Sequence, residues 1–172
     1  MPGPPKAKVG IVACSGEELP EGTVTRLAAL RVLHELRPHE TVAICLPLFL
    51  AGGENDRTFA RVHPTITLDG CELRCAARAT EMYSSKPAAR LVVNDLVAER
   101  GMARPEGRRR LNDAGRQAVD AAAAHVATLV DALLSQTMDR TAVTGEPADF
   151  SAPQEQSTPC KCGNSRDRAS RK

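Results

Sequence analysis

The sequence is poor in aromatic residues and lacks tryptophan altogether. Only 2% of its 172 residues are aromatic, which leaves few rings on which nucleotide bases could stack. No large excess of one charge is present either, because 23 Lys and Arg residues face 21 Asp and Glu residues for a formal net charge of +2. A nearly neutral chain has no strong electrostatic attraction to nucleic acid or to an anionic membrane. We therefore expect neither as a partner.

Long apolar runs are also missing. A membrane-spanning helix needs ~20 consecutive apolar residues, and no uninterrupted run of that length occurs. Residues 1–6 lack the apolar core that a signal peptide carries. We expect a cytoplasmic protein, in which the redox poise keeps most thiols reduced.

Three familiar active-site motifs are absent as well. A phosphatase loop needs an arginine at the position that Pro20 occupies after Cys14. A thioredoxin-like site needs Cys-x-x-Cys, a spacing that does not occur. Neither Gly-x-Gly-x-x-Gly nor a Walker lysine loop follows the first apolar run. Nucleotide binding therefore has no support in the sequence.

What the chain does have is an alternation of short apolar runs with segments of helical periodicity. The apolar runs predict strands at residues 8–13, 41–46, 65–68 and 90–93. Apolar residues at helical spacing predict helices at residues 22–36, 71–83 and 111–134. Strands and helices that alternate on short connections predict an α/β fold. We expect an open, mainly parallel four-stranded sheet flanked by helices, a Rossmann- or flavodoxin-like three-layer arrangement with a long C-terminal helix.

Several element ends can also be predicted. Gly22 or Thr23 is a plausible cap for the first helix. Residues 46–50 are interpreted as a buried loop or lid, and residues 56–62 as a short helix.

The domain organisation follows from composition. We expect one α/β domain at residues 8–138, between a disordered N-terminus at residues 1–7 and a disordered tail at residues 139–172. The tail has almost no large apolar residues and could not bury a core. It contains Cys160 and Cys162, which are either extra ligands, a resolving dithiol or residues without a role.

Cysteine is the residue type that points to function. Six cysteines in a reducing compartment are better interpreted as ligands or reactive groups than as disulfides. Cys14 follows the first predicted strand, Cys45 ends the second and Cys71 follows the third. Because the carboxyl ends of parallel strands share one edge, where binding sites form, these thiols are expected to converge. A helix that begins at Cys71 would place Cys75 on the same face, about 6 Å away.

Other residues at this edge suit a ligand. Ser15, Gly16 and Gly70 fall in tight turns that let the backbone approach a bound group. Helix N-termini on the same edge favour anions and thiolates, and Arg74 is placed to balance thiolate charge. Asp69 either caps the following helix or supports the ligands from behind.

Simple packing is the alternative for each cysteine. A free cysteine is often a small buried apolar residue, and Cys45 lies between Ile44 and Leu46. Histidines do not add to the site, since His34, His39 and His63 are expected at the opposite edge of the sheet. A metal bound at the cysteines would have mostly sulfur ligands, which suits Zn²⁺ or an iron–sulfur cluster.

These cysteines lie in a recognisable set of short motifs. Residues 13–16 (Ala-Cys-Ser-Gly), residues 22–26 (Gly-Thr-Val-Thr-Arg), Cys45, and Asp69-Gly70-Cys71 with Cys75-Ala76 resemble the DGC-domain family over about residues 8–98. The resemblance implies four family cysteines, matched here by Cys14, Cys45, Cys71 and Cys75, from which zinc binding has been proposed. It implies no established reaction.

Three functions are therefore open. The first is a metal-binding protein in which Cys14, Cys45, Cys71 and Cys75 hold Zn²⁺. The second is a thiol enzyme for sulfur transfer or redox chemistry, with no bound metal, a small sulfur species as partner and Cys14 or Cys71 as nucleophile. The third is an adaptor whose helix at residues 111–134 pairs with a protein partner or with a second copy.

Overall fold

A parallel four-stranded sheet forms the centre of the protein. The computed structural model describes residues 7–14, 16 and 18–144, with side chains through Thr137. The strands are β1 (Val9–Ala13), β2 (Thr41–Ala43), β3 (Thr65–Asp69) and β4 (Ala89–Val92). They lie in the order β2-β1-β3-β4, and every neighbouring pair is parallel. The predicted α/β fold class is confirmed.

Helices cover both faces of the sheet. They are α1 (Pro20–Arg31), which continues into a π-helical segment (Val32–Leu36), α2 (Leu46–Ala51), α3 (Glu54–Arg57), α4 (Phe59–Val62), α5 (Cys75–Tyr83), α6 (Val93–Glu99) and α7 (Asp113–Thr144).

The larger core lies between the sheet and α1, α6 and α7. Alternate residues of the two central strands, such as Ile11 and Ile66, face these helices and are almost completely buried. Val24 from α1 and Val126 from α7 pack in the same cluster. Strand residues alternate between the faces of a sheet, so the intervening residues face the other layer.

The smaller core lies on the opposite face. Val12 and Cys14 of the β1 segment pack there with Phe49 of α2 and with Ala76 and Ala79 of α5. This face therefore carries the cysteine-bearing segments, while the larger core on the other side supports the sheet.

Two predicted element ends are wrong on this smaller face. The strand predicted at residues 41–46 stops at Ala43, before Cys45, and the predicted buried loop at residues 46–50 is the helix α2. Pro47 fits the first turn of α2 because that turn needs no amide donor from it. Leu46 and Phe49 are thereby turned into the core.

Two predicted helix starts are also wrong. α1 begins at Pro20 after Leu19, rather than at Gly22 or Thr23, because proline is well suited to the first position of a helix. α5 begins at Cys75 rather than near Cys71. Arg74 precedes it with a left-handed backbone, φ 48°, which interrupts any helix running from Cys71.

α7 is longer than the predicted helix, since it extends to Thr144. Over Asp113–Thr137 it is long and apolar enough to cross a membrane by length and composition alone. In this fold one face of the helix packs against α1 and the sheet. The predicted tail, apart from the end of α7, lies outside the described residues, as do residues 1–6.

Candidate functional site

A cavity opens where the chain crosses from one half of the sheet to the other. β1 and β3 are neighbours in the sheet although β2 lies between them in sequence, and such a switch point is where α/β sheets form binding sites. The cavity has a volume of about 380 Å³. Among the described residues three thiols line it, and the lining residues are Cys14, Gly16, Glu18, Leu19, Gly22, Asp69, Gly70, Cys71, Leu73, Arg74 and Cys75.

Cys14 is the buried thiol of this cavity. Its Sγ lies 3.5 Å from Oγ1 of Thr25, which is itself fully buried. The Thr25 hydroxyl has one hydrogen, and its shortest acceptor is the carbonyl oxygen of Gly22 at 2.7 Å. The Cys14 sulfur and the Thr25 hydroxyl form a contact in which either can be the donor. Burial raises the pKa of Cys14, the hydrogen bonds from Thr25 and from the Gly70 backbone oppose that rise, and the nearby Asp69 and Cys75 add to it.

Asp69 ends β3 and caps α5. Its carboxylate is 2% exposed and accepts hydrogen bonds from the backbone amides of Ala76 at 2.7 Å and Ala77 at 3.1 Å. Burial raises the pKa of this carboxyl group, while the two amide bonds oppose that rise. Of the two roles considered for Asp69, the helix cap is the one that the structure shows.

Cys71 and Cys75 lie at the two ends of a tight turn. The amide of Arg74 donates to the carbonyl oxygen of Cys71 at 3.1 Å, and Cys75 is the first residue of α5. Cys71 is half-buried and Cys75 is exposed. The expected contact through one helical face is wrong, but the turn still brings both residues to the same cavity.

Glycine backbone forms the floor between the two strand ends. A Cβ atom at Gly22 would overlap the backbone of Gly16, and one at Gly70 would come within 2.9 Å of the Gly22 nitrogen. Gly16 also has a positive φ of 28°, which L-amino acids with side chains rarely adopt. The close approach of these three segments allows Cys14 and Cys71 to share one cavity.

Not all predicted site residues come together. Cys45 is exposed at the start of α2 and is not among the residues that line the cavity. Ser15, Cys160 and Cys162 lie outside the described residues. Within the part of the chain that the structure describes, no three Cys, His, Asp or Glu side chains stand close enough to hold a metal ion without moving.

The sequence predicts no functional role for Thr25, which contacts Cys14, or for two leucines that line the cavity. Thr25 contacts Cys14 only because α1 docks beside the end of β1. Leu19 and Leu73 are 43% and 59% exposed at the cavity, although leucines of this kind are usually interpreted as core. The Gly22-x-x-Thr25 spacing within one helical turn was the only local pattern that could have indicated the hydroxyl's position.

The sequence model of the DGC domain matches residues 10–128. The chain belongs to the DGC-domain family. The match covers more of the chain than the resemblance predicted, since it continues past residue 98 into α7 and includes the four cysteines up to Cys75. No curated protein and no solved structure matches the chain.

Proposed function

We propose that this DGC-domain protein binds a thiophilic metal ion, most simply Zn²⁺, through Cys14, Cys71 and Cys75. The observation that carries the proposal is that these three thiols, from the ends of two neighbouring strands, line one cavity at the switch point of the sheet. Thiolate sulfur is a preferred ligand of Zn²⁺, so the donor set fits this ion chemically.

The side chains would have to close on the ion. Cys14 is held on the rigid end of β1, whereas Cys75 is exposed and Cys71 half-exposed around a turn. The side chains of these two residues can therefore rotate toward the buried thiol at low packing cost, while the backbone of the turn stays in place. A tetrahedral site with three protein thiolates has one further position, which a water molecule can fill, because Cys45, the fourth ligand predicted from the sequence, is outside the cavity lining.

Metal analysis tests this proposal. Protein purified without added metal is expected to contain about one zinc ion per chain, the stoichiometry of a single tetrahedral site, as measured by mass spectrometry. Cys71→Ser and Cys75→Ser should each lower zinc affinity by at least tenfold, because each removes a thiolate. Cys45→Ser is the matched comparison, since this cysteine is outside the cavity lining, and it should retain more zinc than either variant.

Two results would contradict the metal site. One is wild-type protein that neither contains zinc nor takes it up from a buffered zinc solution. The other is an unchanged affinity in both cavity variants, which would place any bound metal elsewhere on the chain.

A thiol reaction is the second candidate, and the size of the cavity favours it. A volume of about 380 Å³ is far larger than one ion and would admit a small organic molecule. In a sulfur transfer, the Cys71 thiolate would attack the outer sulfur of a persulfide donor. A new S–S bond forms on Cys71, the donor's S–S bond breaks, and the donor thiolate leaves.

Labelling distinguishes this reaction from metal binding. Metal-free protein incubated with a small persulfide should gain the mass of one sulfur atom on the peptide that contains Cys71, and added thiol should remove it. Rapid alkylation of the same cysteine near neutral pH is also expected. Uniformly slow labelling of all six cysteines would count against the thiol reaction.

A further inference from the structure

α5 begins without a cap from its own preceding residue. The first amides of a helix have no partner within the helix, and Arg74, which precedes α5, provides no side-chain hydrogen bond to them. The amides of Ala76 and Ala77 are instead bound by Asp69, which lies at the end of β3. A strand residue thus caps the helix that follows it across an intervening turn.

This carboxylate is committed to the backbone. Each oxygen of Asp69 accepts one amide, at 2.7 and 3.1 Å, in a site where the residue is only 2% exposed. A buried carboxylate is costly unless such bonds stabilise it, and bonds to a charged acceptor are stronger than neutral ones. Loss of these bonds would therefore free the first turn of α5.

The cap also fixes the two ends of the cysteine turn. Asp69 is anchored in the sheet, where it pairs with Val92 of β4, and it holds α5 one residue after Cys75. The chain between them must then fold into the turn in which Arg74 bonds Cys71. The distance between Cys71 and Cys75 therefore depends on Asp69, which precedes both of them in the sequence.

We propose that Asp69 is a positioning residue that sets the spacing of the Cys71 and Cys75 sulfurs without itself binding the ligand. The part of this inference that concerns zinc rests on the proposed function. The spacing itself does not, because any reagent that bridges two thiols would require it.

Phenylarsine oxide is a suitable probe, since trivalent arsenic binds two neighbouring thiols at once. The experiment uses the full chain with Cys160 and Cys162 changed to serine, so that the tail dithiol cannot compete. In this background Asp69→Asn keeps one acceptor oxygen but turns an amide group toward an N–H donor. It should weaken arsenical binding about tenfold, and Asp69→Ala should weaken it more.

Asn112 supplies the matched control. Its Oδ1 accepts the amide of Gly115 at 2.8 Å at the start of α7 and the amide of Glu106 at 3.2 Å, and it does not line the cavity. Asn112→Ala should lower the unfolding temperature as other cap losses do while leaving arsenical affinity unchanged. If Asp69 had a purely structural role, its variants would behave like Asn112→Ala, with a lower unfolding temperature and an unchanged arsenical affinity.

The outcomes separate the two proposals. Unchanged arsenical affinity in Asp69→Asn, the variant more certain to fold, would overturn the positioning role whatever zinc does. Weaker arsenical binding together with wild-type protein that fails to bind zinc would support the positioning role and overturn the metal site. Parallel losses of arsenical and zinc affinity would support both.

Discussion

Cys14 differs from the other cavity thiols because it is buried beside the Thr25 hydroxyl. Burial favours the protonated thiol, because a charged thiolate is costly away from water. A ligand that takes a thiolate from Cys14 must displace this proton, whereas Cys75 is exposed to solvent. Reagents should therefore reach Cys75 before Cys14.

The raised pKa of Cys14 predicts a pH-dependent stability. The folded protein holds the proton above the ordinary thiol pKa of 9.0, where the unfolded chain releases it. The stabilisation is thus present below that pKa and is lost as the pH rises through it toward the folded pKa. In chelator-treated protein, the free energy of unfolding measured by urea should begin to fall near pH 9.0 and continue to fall as the pH rises further.

Cys14→Ala should flatten that pH profile, although it also lowers the overall stability. The same change at the exposed Cys45 should leave the slope as it is in the wild type. A slope that survives in Cys14→Ala would assign the pH effect to another group.

At the scale of elements, an ion pair connects the end of the first helix to α7. Arg37 donates from Nε and Nη2 to the two carboxylate oxygens of Asp131, at 2.7 and 2.6 Å. The hydrogen bond from Arg37 lowers the pKa of Asp131. Both side chains are partly exposed, so solvent screens the pair.

Asp131→Asn should lower the free energy of unfolding by about 0.5–1 kcal/mol at neutral pH, the upper part of the range for exposed pairs. A depressed carboxyl pKa gives stability that is present above the ordinary pKa of aspartate and is lost as the pH falls through the folded value. The difference between variant and wild type should therefore disappear in acid. A double-mutant cycle with Arg37→Ala isolates the pair, and a coupling of zero would refute the contribution.

The order of strands and helices was predictable because buried parallel strands and amphipathic helices leave strong local signals. The residues at which these elements begin and end were harder to predict. β2 ends at Ala43 because the chain turns Leu46 into the smaller core, and this depends on packing rather than local preference. α5 begins late because its cap comes from Asp69 on a strand and because Arg74 adopts a left-handed backbone.

The candidate site shows the same division. Parallel topology alone placed Cys14 and Cys71 at one edge of the sheet, and the structure puts both in one cavity. Cys45 was grouped with them from the predicted end of β2, an end that the structure moves. Thr25 lies in the motif of residues 22–26, but its contact with Cys14 could not be predicted, because Cys14 precedes the helix and meets it only in the folded protein.

At the scale of the whole molecule, α7 contributes one face to the larger core. Ala118, Ala122 and Ala123 are fully buried against α1 and the sheet, so this small-residue face is already occupied. Pairing through residues 111–134 with another chain remains a prediction for the exposed side of the helix.

Ala122→Leu tests how tightly α7 packs. The larger side chain has no space at a fully buried position, so it should destabilise the protein by about 1–3 kcal/mol. Ala124→Leu, two residues away and exposed on the same helix, should change the free energy of unfolding by less than about 0.5 kcal/mol. Urea denaturation compares the two, and equal effects would contradict the packing described for α7.

In the order β2-β1-β3-β4, the cavity lies at the ends of the two interior strands, β1 and β3. Each of them pairs with a strand on both sides, so neither can separate without breaking the sheet. A molecule bound between their ends would link the two central strands of the sheet. Ligand binding should then slow amide hydrogen exchange within β1 and β3, and not only in the loop that contacts the ligand.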